Sequence, residues 1–171
     1  SCVLFSLVGC FTFINLHLAA EPYGLGSSDL ANIYMVYLIG MVITPLSTQI
    51  IGRFGAKKTV LMAVSVSMVG VLGTLSTPLW GIVLALAIMS TGVFITQAAT
   101  ISYIAKNVTQ NRSLASGLYY MGYYTGGTIG ATVCGLAYAR GAWGMTVLTL
   151  LAVQVFALLV ASYIMVARKA S

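Results

Sequence analysis

The residues of this chain that could do chemistry are neutral polar side chains, set at helical intervals within very apolar surroundings. Residues three or four positions apart share one face of a helix. Three rows of this kind occur: Thr12 and Asn15; Gly92, Thr96, Thr100 and Tyr103, with Gln97 beside them; and Tyr120, Tyr124 and Thr128, flanked by Tyr119 and Tyr123. Hydroxyl, amide and phenol groups in this arrangement suit a cavity that binds a neutral or amphiphilic organic solute.

Charged side chains, by contrast, avoid the apolar stretches. Every Asp, Glu, Lys and Arg falls in a predicted loop or at the end of a predicted helix, so no charge marks an ion path. His17 is the only side chain within a predicted helix that titrates near neutral pH, which makes it a candidate coupling group. Because it lies at the end of its helix, four residues before Glu21, we favour an interfacial histidine that is hydrogen-bonded or in contact with water.

Composition places the chain in a membrane. Apolar residues make up 60% of the chain and charged residues only 6%, whereas a soluble domain carries about 25% charged residues. A hydrocarbon core about 30 Å thick requires about 20 residues per helix. The 171 residues therefore predict an all-α membrane protein, a single bundle of six transmembrane helices over 1–171. Turn residues and charges set the predicted spans at 1–20, 30–51, 59–75, 79–105, 113–138 and 143–166.

Within a membrane, polar residues face neighbouring helices or a cavity. We therefore expect the polar rows to face the interior of the protein. Hydrogen bonds between helices, worth only about 0.6 kcal/mol each on average, would explain any single member as well. For the set, a cavity is the better interpretation. The predicted substrate-binding residues are Thr12, Asn15, Thr96, Gln97, Thr100, Tyr120 and Tyr124.

The loops carry an orientation signal. With six helices, one side of the membrane collects Arg53, Lys57, Lys58, Lys106, Arg112, Arg168 and Lys169, and the other collects Arg140, Glu21 and Asp29. Basic residues in short loops remain cytoplasmic, so both termini are predicted to be cytoplasmic. The net charge of +6 is then an orientation signal and does not predict nucleic-acid binding.

Glycines and cysteines predict packing. Gly122, Gly126 and Gly130 recur every four residues, a pattern that lets another helix approach closely. The cysteines lie within predicted spans as small apolar residues, and their spacing predicts no metal site: Cys2, Cys10 and Cys134.

Two stretches carry a resemblance to the carboxy-terminal six helices of major facilitator superfamily transporters. The turn 52–58 resembles that family's loop motif D-R-x-G-R-K: Arg53, Gly55 and Lys57 match, while Gly52 replaces Asp and Ala56 replaces Arg. The stretch 112–130 resembles the family's eleventh helix, especially in bacterial efflux-type (drug/proton antiporter-like) members. In those proteins a basic residue opens a small- and aromatic-rich helix that ends in G-G-x-x-G.

The resemblance implies two six-helix bundles, each built from inverted three-helix repeats, with substrate bound between them. Helices one, two, four and five of this half would face that cavity. The implied function is proton-coupled efflux of a small organic solute across a bacterial inner (plasma) membrane. The implied partners are the substrate, protons, the lipid bilayer and a missing amino-terminal six-helix half, which would hold the coupling carboxylates; no cofactor is implied. The Gly52 replacement counts against a gating function for this copy of the motif.

Other classes fit less well or stay open. The lone histidine near a helix end and the lack of G-x-S-x-G argue against an intramembrane protease, so no enzyme is predicted. No filter motif or charged ring predicts a channel, and the repeated signature of mitochondrial-type carriers is missing. A structural or assembly subunit, and a half-size transporter that works as a dimer, both remain open. Ser1 stands where an initiating Met would be, so we expect a piece of a longer protein, with a mature chain as the alternative.

Overall fold

The structure is a computed structural model that describes residues 1–20, 23–26, 33, 35, 38, 42–108 and 110–167. Much of the predicted span 30–51 lies outside this part, as do Glu21, Asp29, Arg168 and Lys169. All regular structure within the described residues is helical. The elements are α1 (Cys2–Ala19), a 3₁₀ turn (Thr44–Leu46), α2 (Ser47–Phe54), α3 (Ala56–Gly73), α4 (Leu79–Asn107) and α5 (Arg112–Ala167).

Four stretches of the described chain are long and apolar enough to cross a membrane. They are Cys2–Ala19, Ala56–Gly73, Leu79–Asn107 and Arg112–Tyr163. The all-α membrane class predicted from composition is therefore confirmed. The six-helix arrangement with inverted repeats stays a prediction, because much of the second predicted span lies outside the described residues.

The last helix is bent back on itself. A straight helix of 52 residues would be roughly 78 Å long, far more than the hydrocarbon core of about 30 Å. The backbone leaves helical geometry at Gly141 (φ −155°, ψ 30°) and Ala142 (φ 51°, ψ −147°), within the turn predicted at 139–142. We call residues 112–140 the first limb of α5 and residues 143–167 the second limb.

Contacts with α1 show that the two limbs run in opposite directions. Gly130 faces Phe5 and Gly135 faces Phe13, so the first limb runs parallel to α1. The second limb starts beside the end of α1, where Trp143 stacks on His17 with ring centroids 5.7 Å apart. Later in that limb, residues 154 and 157 line a cavity together with residues 2, 3 and 6 of α1. The chain therefore reverses at the bend.

Glycines set the closest helix contacts. A Cβ built at Gly130 would lie 2.6 Å from the Phe5 carbonyl oxygen, and one at Gly126 would lie 2.5 Å from the Ser1 Cα. Gly122 has more room, with the Ser1 hydroxyl 3.5 Å away. In the α3–α4 pair, a Cβ at Gly70 would lie 2.7 Å from the Met89 Cα. Since a Cβ essentially never lies this close to backbone atoms, these helices can approach so closely only because glycine has no Cβ.

The two ends of the bundle have different characters. At one end, which we call the Trp143 end, the Tyr23 hydroxyl donates to the Thr77 carbonyl at 2.7 Å, and Trp143 Nε1 donates to the Thr74 carbonyl at 3.2 Å. At the other, the Lys57 end, Lys57 and Lys106 line one cavity. The 18-residue helix α3 separates the two ends by about 27 Å.

The basic turn predicted at 52–58 is shorter in the structure. Helix α2 continues to Phe54 and α3 begins at Ala56, so Gly55 alone joins them. Gly55 has φ 78° and ψ 153°, a conformation that essentially only glycine adopts. The reversal needs a single residue because that residue has no Cβ.

Two glycines of the first limb provide a matched test of this packing. Gly130→Ala should lower the free energy of unfolding by about 1–3 kcal/mol, because the added methyl overlaps the Phe5 backbone. Gly117→Ala meets no atom within 4 Å and should be neutral or stabilising by up to about 1 kcal/mol, through helix propensity. Thermal unfolding in detergent measures both variants. Equal stability of the two would contradict the close approach of α1 to the first limb.

Candidate functional site

Four tyrosines form a continuous aromatic ladder on the first limb. Tyr119 stacks on Tyr123 with ring centroids 5.8 Å apart, and Tyr120 stacks on Tyr124 at 6.3 Å. Edge-to-face contacts of 5.4 Å and 5.6 Å join the two rows. Ring pairs at such separations contribute about 0.5–1.5 kcal/mol each beyond the burial of their area. The ladder therefore holds its own rings in place.

The inner row of the ladder is fixed to the neighbouring helix α4. Tyr123 is buried, and its hydroxyl donates to Gln97 Oε1 at 3.1 Å. This hydrogen bond joins side chains 26 positions apart. The structure thus brings Gln97 into contact with the tyrosines of the first limb. A site shared by these two predicted polar rows would require such a contact.

The outer row faces away from the bundle. The side chains of Tyr120 and Tyr124 are 39% and 63% exposed. Thr128 continues the row one turn later, and its hydroxyl donates to the Tyr124 carbonyl at 3.2 Å. Within the part of the chain that the structure describes, neither the Tyr120 nor the Tyr124 phenol has a hydrogen-bond acceptor. Two phenols and two ring faces are therefore available to a ligand or a partner helix.

The polar row of α4 is divided between two surroundings. Thr96 is buried, and its hydroxyl donates to the Gly92 carbonyl at 2.8 Å. Gly92 packs against α3, where an added Cβ would lie 2.7 Å from the Ser67 amide nitrogen. Thr100 is half-buried and donates to the Thr96 carbonyl at 2.8 Å. Gly92 and Thr96 thus face α3 inside the bundle, whereas Gln97 meets the tyrosine ladder.

The two predicted residues of α1 lie far from the ladder. Thr12 is exposed, and Asn15 is half-buried with Nδ2 donating to the Phe11 carbonyl at 2.7 Å. Since Gly126 sits beside Ser1 and the helices run parallel, the level of Tyr124 is on the order of 20 Å from that of Thr12 along the axis. The structure does not bring these residues into one site with the tyrosines.

A second polar cluster lies inside the bundle, and sequence reasoning missed it. Gln154 of the second limb is 3% exposed, and its Nε2 donates to the Ser67 hydroxyl of α3 at 3.0 Å. No described residue donates to Gln154 Oε1. Ser6 and Thr96 line the same small cavity. Its volume of about 10 Å³ is roughly what one water molecule needs. The signal in the sequence was an amide in the middle of an apolar span, which must turn inward.

Comparison with known proteins gives the family. The sequence matches the Major Facilitator Superfamily over residues 1–171, its whole length. The chain belongs to the Major Facilitator Superfamily. It is 26% identical over 141 residues to an uncharacterized MFS-type transporter, YybF, of Bacillus subtilis (strain 168). The aligned residues make up 82% of this chain and 35% of that protein. No solved structure is significantly similar to it.

Two further relatives come from Buchnera aphidicola. An uncharacterized transporter of the subspecies Baizongia pistaciae is 25% identical over 143 residues, 83% of this chain and 36% of its own length. An uncharacterized transporter of the subspecies Schizaphis graminum is 26% identical over 138 residues, 81% of this chain and 33% of its own length. The chain thus spans about a third of the length of the curated relatives that it matches.

The candidate coupling residue of this Major Facilitator Superfamily chain sits in an aromatic cluster. His17 stacks on Trp143 at an interplanar angle of 13° and meets the edge of Tyr23 at a centroid distance of 5.7 Å. It is half-buried at the Trp143 end, in the last turn of α1. This environment suits an aromatic packing residue at the bundle end, whereas the sequence favoured an interfacial, hydrogen-bonded or hydrated histidine; a coupling function for His17 stays a prediction.

The family's loop motif lies at the Lys57 end. Gly55 forms the one-residue turn, Arg53 is exposed in the last turn of α2, and Lys57 is half-buried in the first turn of α3. No acidic side chain occurs among the described residues of this Major Facilitator Superfamily chain, so these cations have no carboxylate partner there. Their gating function stays a prediction.

Substitution of His17 can separate packing from proton chemistry. His17→Phe should keep the stack on Trp143 and leave the free energy of unfolding within about 0.5 kcal/mol, while His17→Ala should lower it by about 1 kcal/mol or more. Leu16→Ala, at a neighbouring position that is 52% exposed, is the control for truncation at this end of α1. A Phe variant as unstable as the Ala variant would show that the imidazole nitrogens are needed.

Proposed function

We propose that this chain is the carboxy-terminal six-helix half of a twelve-helix secondary transporter that exports a small organic solute in exchange for protons. The membrane would be the bacterial inner membrane, with both ends of the chain in the cytoplasm. Three observations support the proposal: family membership along the whole chain, relatives of which the matched part is only about a third, and a polar aromatic face that this bundle leaves exposed.

The exposed face of the first limb is the observation that carries the proposal. Tyr120, Tyr124 and Thr128 form a polar row on a helix that is otherwise apolar enough to span a membrane. In hydrocarbon the two phenols would have no partner, and an unsatisfied polar group there costs several kcal/mol. A second bundle that encloses a wet cavity on this side removes that cost. The face then becomes a wall of the substrate path.

The chemistry of this wall favours a neutral or amphiphilic solute. The ladder offers ring faces for stacking and phenols that can donate or accept a hydrogen bond. Gln97 sits behind it, bonded to Tyr123. No carboxylate or ammonium group lies among the described residues of the first limb between Ser113 and Ala139. We therefore assign solute binding by stacking and hydrogen bonding to this half, and proton coupling to acidic groups of the other half.

Gly92, Thr96 and Thr100 have a different place in this proposal. Thr96 faces the interior cavity shared with Gln154, so we keep Gln97, Tyr120 and Tyr124 as the principal substrate contacts. Thr12 and Asn15 would meet the substrate path only farther toward the Trp143 end. His17 would contribute to coupling only if the aromatic cluster around it opens during transport.

Removing the two exposed phenols tests the substrate path. In the full-length transporter, Tyr120→Phe and Tyr124→Phe should each weaken the apparent affinity for solute by a few-fold to about tenfold, because a neutral hydrogen bond contributes about 0.5–1.5 kcal/mol. Folded yield should not change, since the rings remain stacked. A transport assay across a panel of aromatic and amphiphilic solutes measures the effect.

Tyr163→Phe is the matched control, since Tyr163 is 75% exposed on the second limb and is not part of the ladder. Its solute profile should equal that of the unmodified protein. Normal transport by both ladder variants would remove Tyr120 and Tyr124 from the substrate path. A protein that moves no solute in any assay, yet assembles with other membrane proteins, would favour the structural-subunit alternative.

Orientation can be tested by cysteine labelling. In a background without Cys2, Cys10 and Cys134, Ala139→Cys should react with an impermeant maleimide added to intact cells, and Asn107→Cys should react only after the membrane is opened. The expected asymmetry follows from the excess of basic residues at the Lys57 end. Labelling of Asn107→Cys in intact cells would overturn the proposed topology.

A further inference from the structure

A cavity of about 460 Å³ opens at the Lys57 end, between the α2–α3 turn and the end of α4. Its lining includes Lys57 and Lys58 from the start of α3, with Tyr103 and Lys106 from the last turns of α4. Phe54 and Ile51 form an apolar wall beside these polar groups. The cavity therefore has a cationic rim and a hydrocarbon side.

Among the residues that the structure describes, no negative charge compensates the lysines around this cavity. Three ammonium groups surround it, and the described residues contain no acidic side chain. Glu21 and Asp29, the only acidic residues of the chain, lie outside the described residues. Lys57 and Lys58 also occupy the first turn of α3, where the helix dipole adds positive potential. An anion would relieve this repulsion.

The apolar wall identifies the kind of anion. Ile51 is buried, whereas Phe54 is 49% exposed. A free inorganic anion would use the lysines and leave this wall in contact with water. A phospholipid with a net negative headgroup would use both, since its phosphate meets the ammonium groups while its acyl chains cover Phe54. Basic pockets between membrane helices are known to hold such headgroups.

We propose that this cavity binds an anionic phospholipid, with Lys57, Lys58 and Lys106 around the headgroup phosphate and Phe54 against an acyl chain. The bound lipid would fasten α3 to the end of α4, two helices whose only covalent link lies at the opposite end, at 74–78. The site is separate from the tyrosine ladder. It stands whether or not the chain transports a solute.

Binding to the delipidated full-length protein in neutral detergent tests the proposal. Phosphatidylglycerol should bind in native mass spectrometry and raise the unfolding temperature, and phosphatidylcholine with the same acyl chains should bind at least about tenfold more weakly. Because each lysine near an anionic lipid contributes about 1 kcal/mol, each Lys→Gln change at positions 57, 58 and 106 should weaken phosphatidylglycerol binding about fivefold. Lys57→Arg and Lys106→Arg should retain binding within about twofold.

The controls separate this site from general attraction and from a free anion. Arg140→Gln removes a positive charge at the opposite end and should leave binding unchanged. Inorganic phosphate at the same concentration should give no stabilisation; stabilisation equal to that from phosphatidylglycerol would replace the lipid by a free anion. Equal binding of the two lipids, or equal binding by the unmodified and Lys→Gln proteins, would overturn the site. The Lys→Arg variants supply folded protein for these comparisons if a Gln variant is unstable.

Discussion

Many serine and threonine hydroxyls along the spans donate to the carbonyl four residues earlier, as Thr96 does to Gly92 and Thr128 to Tyr124. Hydrocarbon offers no hydrogen-bond partner, so the positions of the polar groups depend on satisfying each of them within the protein. A serine or threonine hydroxyl can make its hydrogen bond within its own helix and needs no partner on a neighbouring helix. Glutamine and tyrosine reach beyond their own helix. Gln97 and Gln154 therefore decide which helix faces meet.

Close backbone contact supplies the packing that apolar side chains alone cannot. Lipid tails are as apolar as leucine, so helices gain by meeting each other only where their atoms fit closely. Gly70 and Gly92 bring α3 against α4, and Gly126 and Gly130 bring the first limb against α1. The second limb is joined to α3 by a polar contact, from Gln154 to Ser67. The two glycine-packed pairs are thus joined by polar contacts, among them the buried amide of Gln154.

The sequence predicted the all-α membrane class, because the shortage of charged residues and the long apolar stretches mark it locally. It could not predict which neighbour each polar face would meet. Thr96 and Gln97 are adjacent in the chain, yet a step of about 100° around the helix sends one toward α3 and the other toward Tyr123. Helical spacing shows which residues share a face of a helix, and it does not show which neighbouring helix that face contacts. The contact of Gln154 with Ser67 spans 87 positions, beyond the reach of any local pattern.

The first limb of α5 combines both kinds of contact on different faces. Its glycines hold it against α1, and Tyr123 ties its inner face to Gln97 of α4. The outer rings of Tyr120 and Tyr124 meet the inner rings of Tyr119 and Tyr123 edge to face. A tyrosine has only two side-chain torsions to restrict, so a solute that stacks on this face would cost little further ordering. The packing that holds the limb in the bundle thus also preorganises the proposed substrate wall.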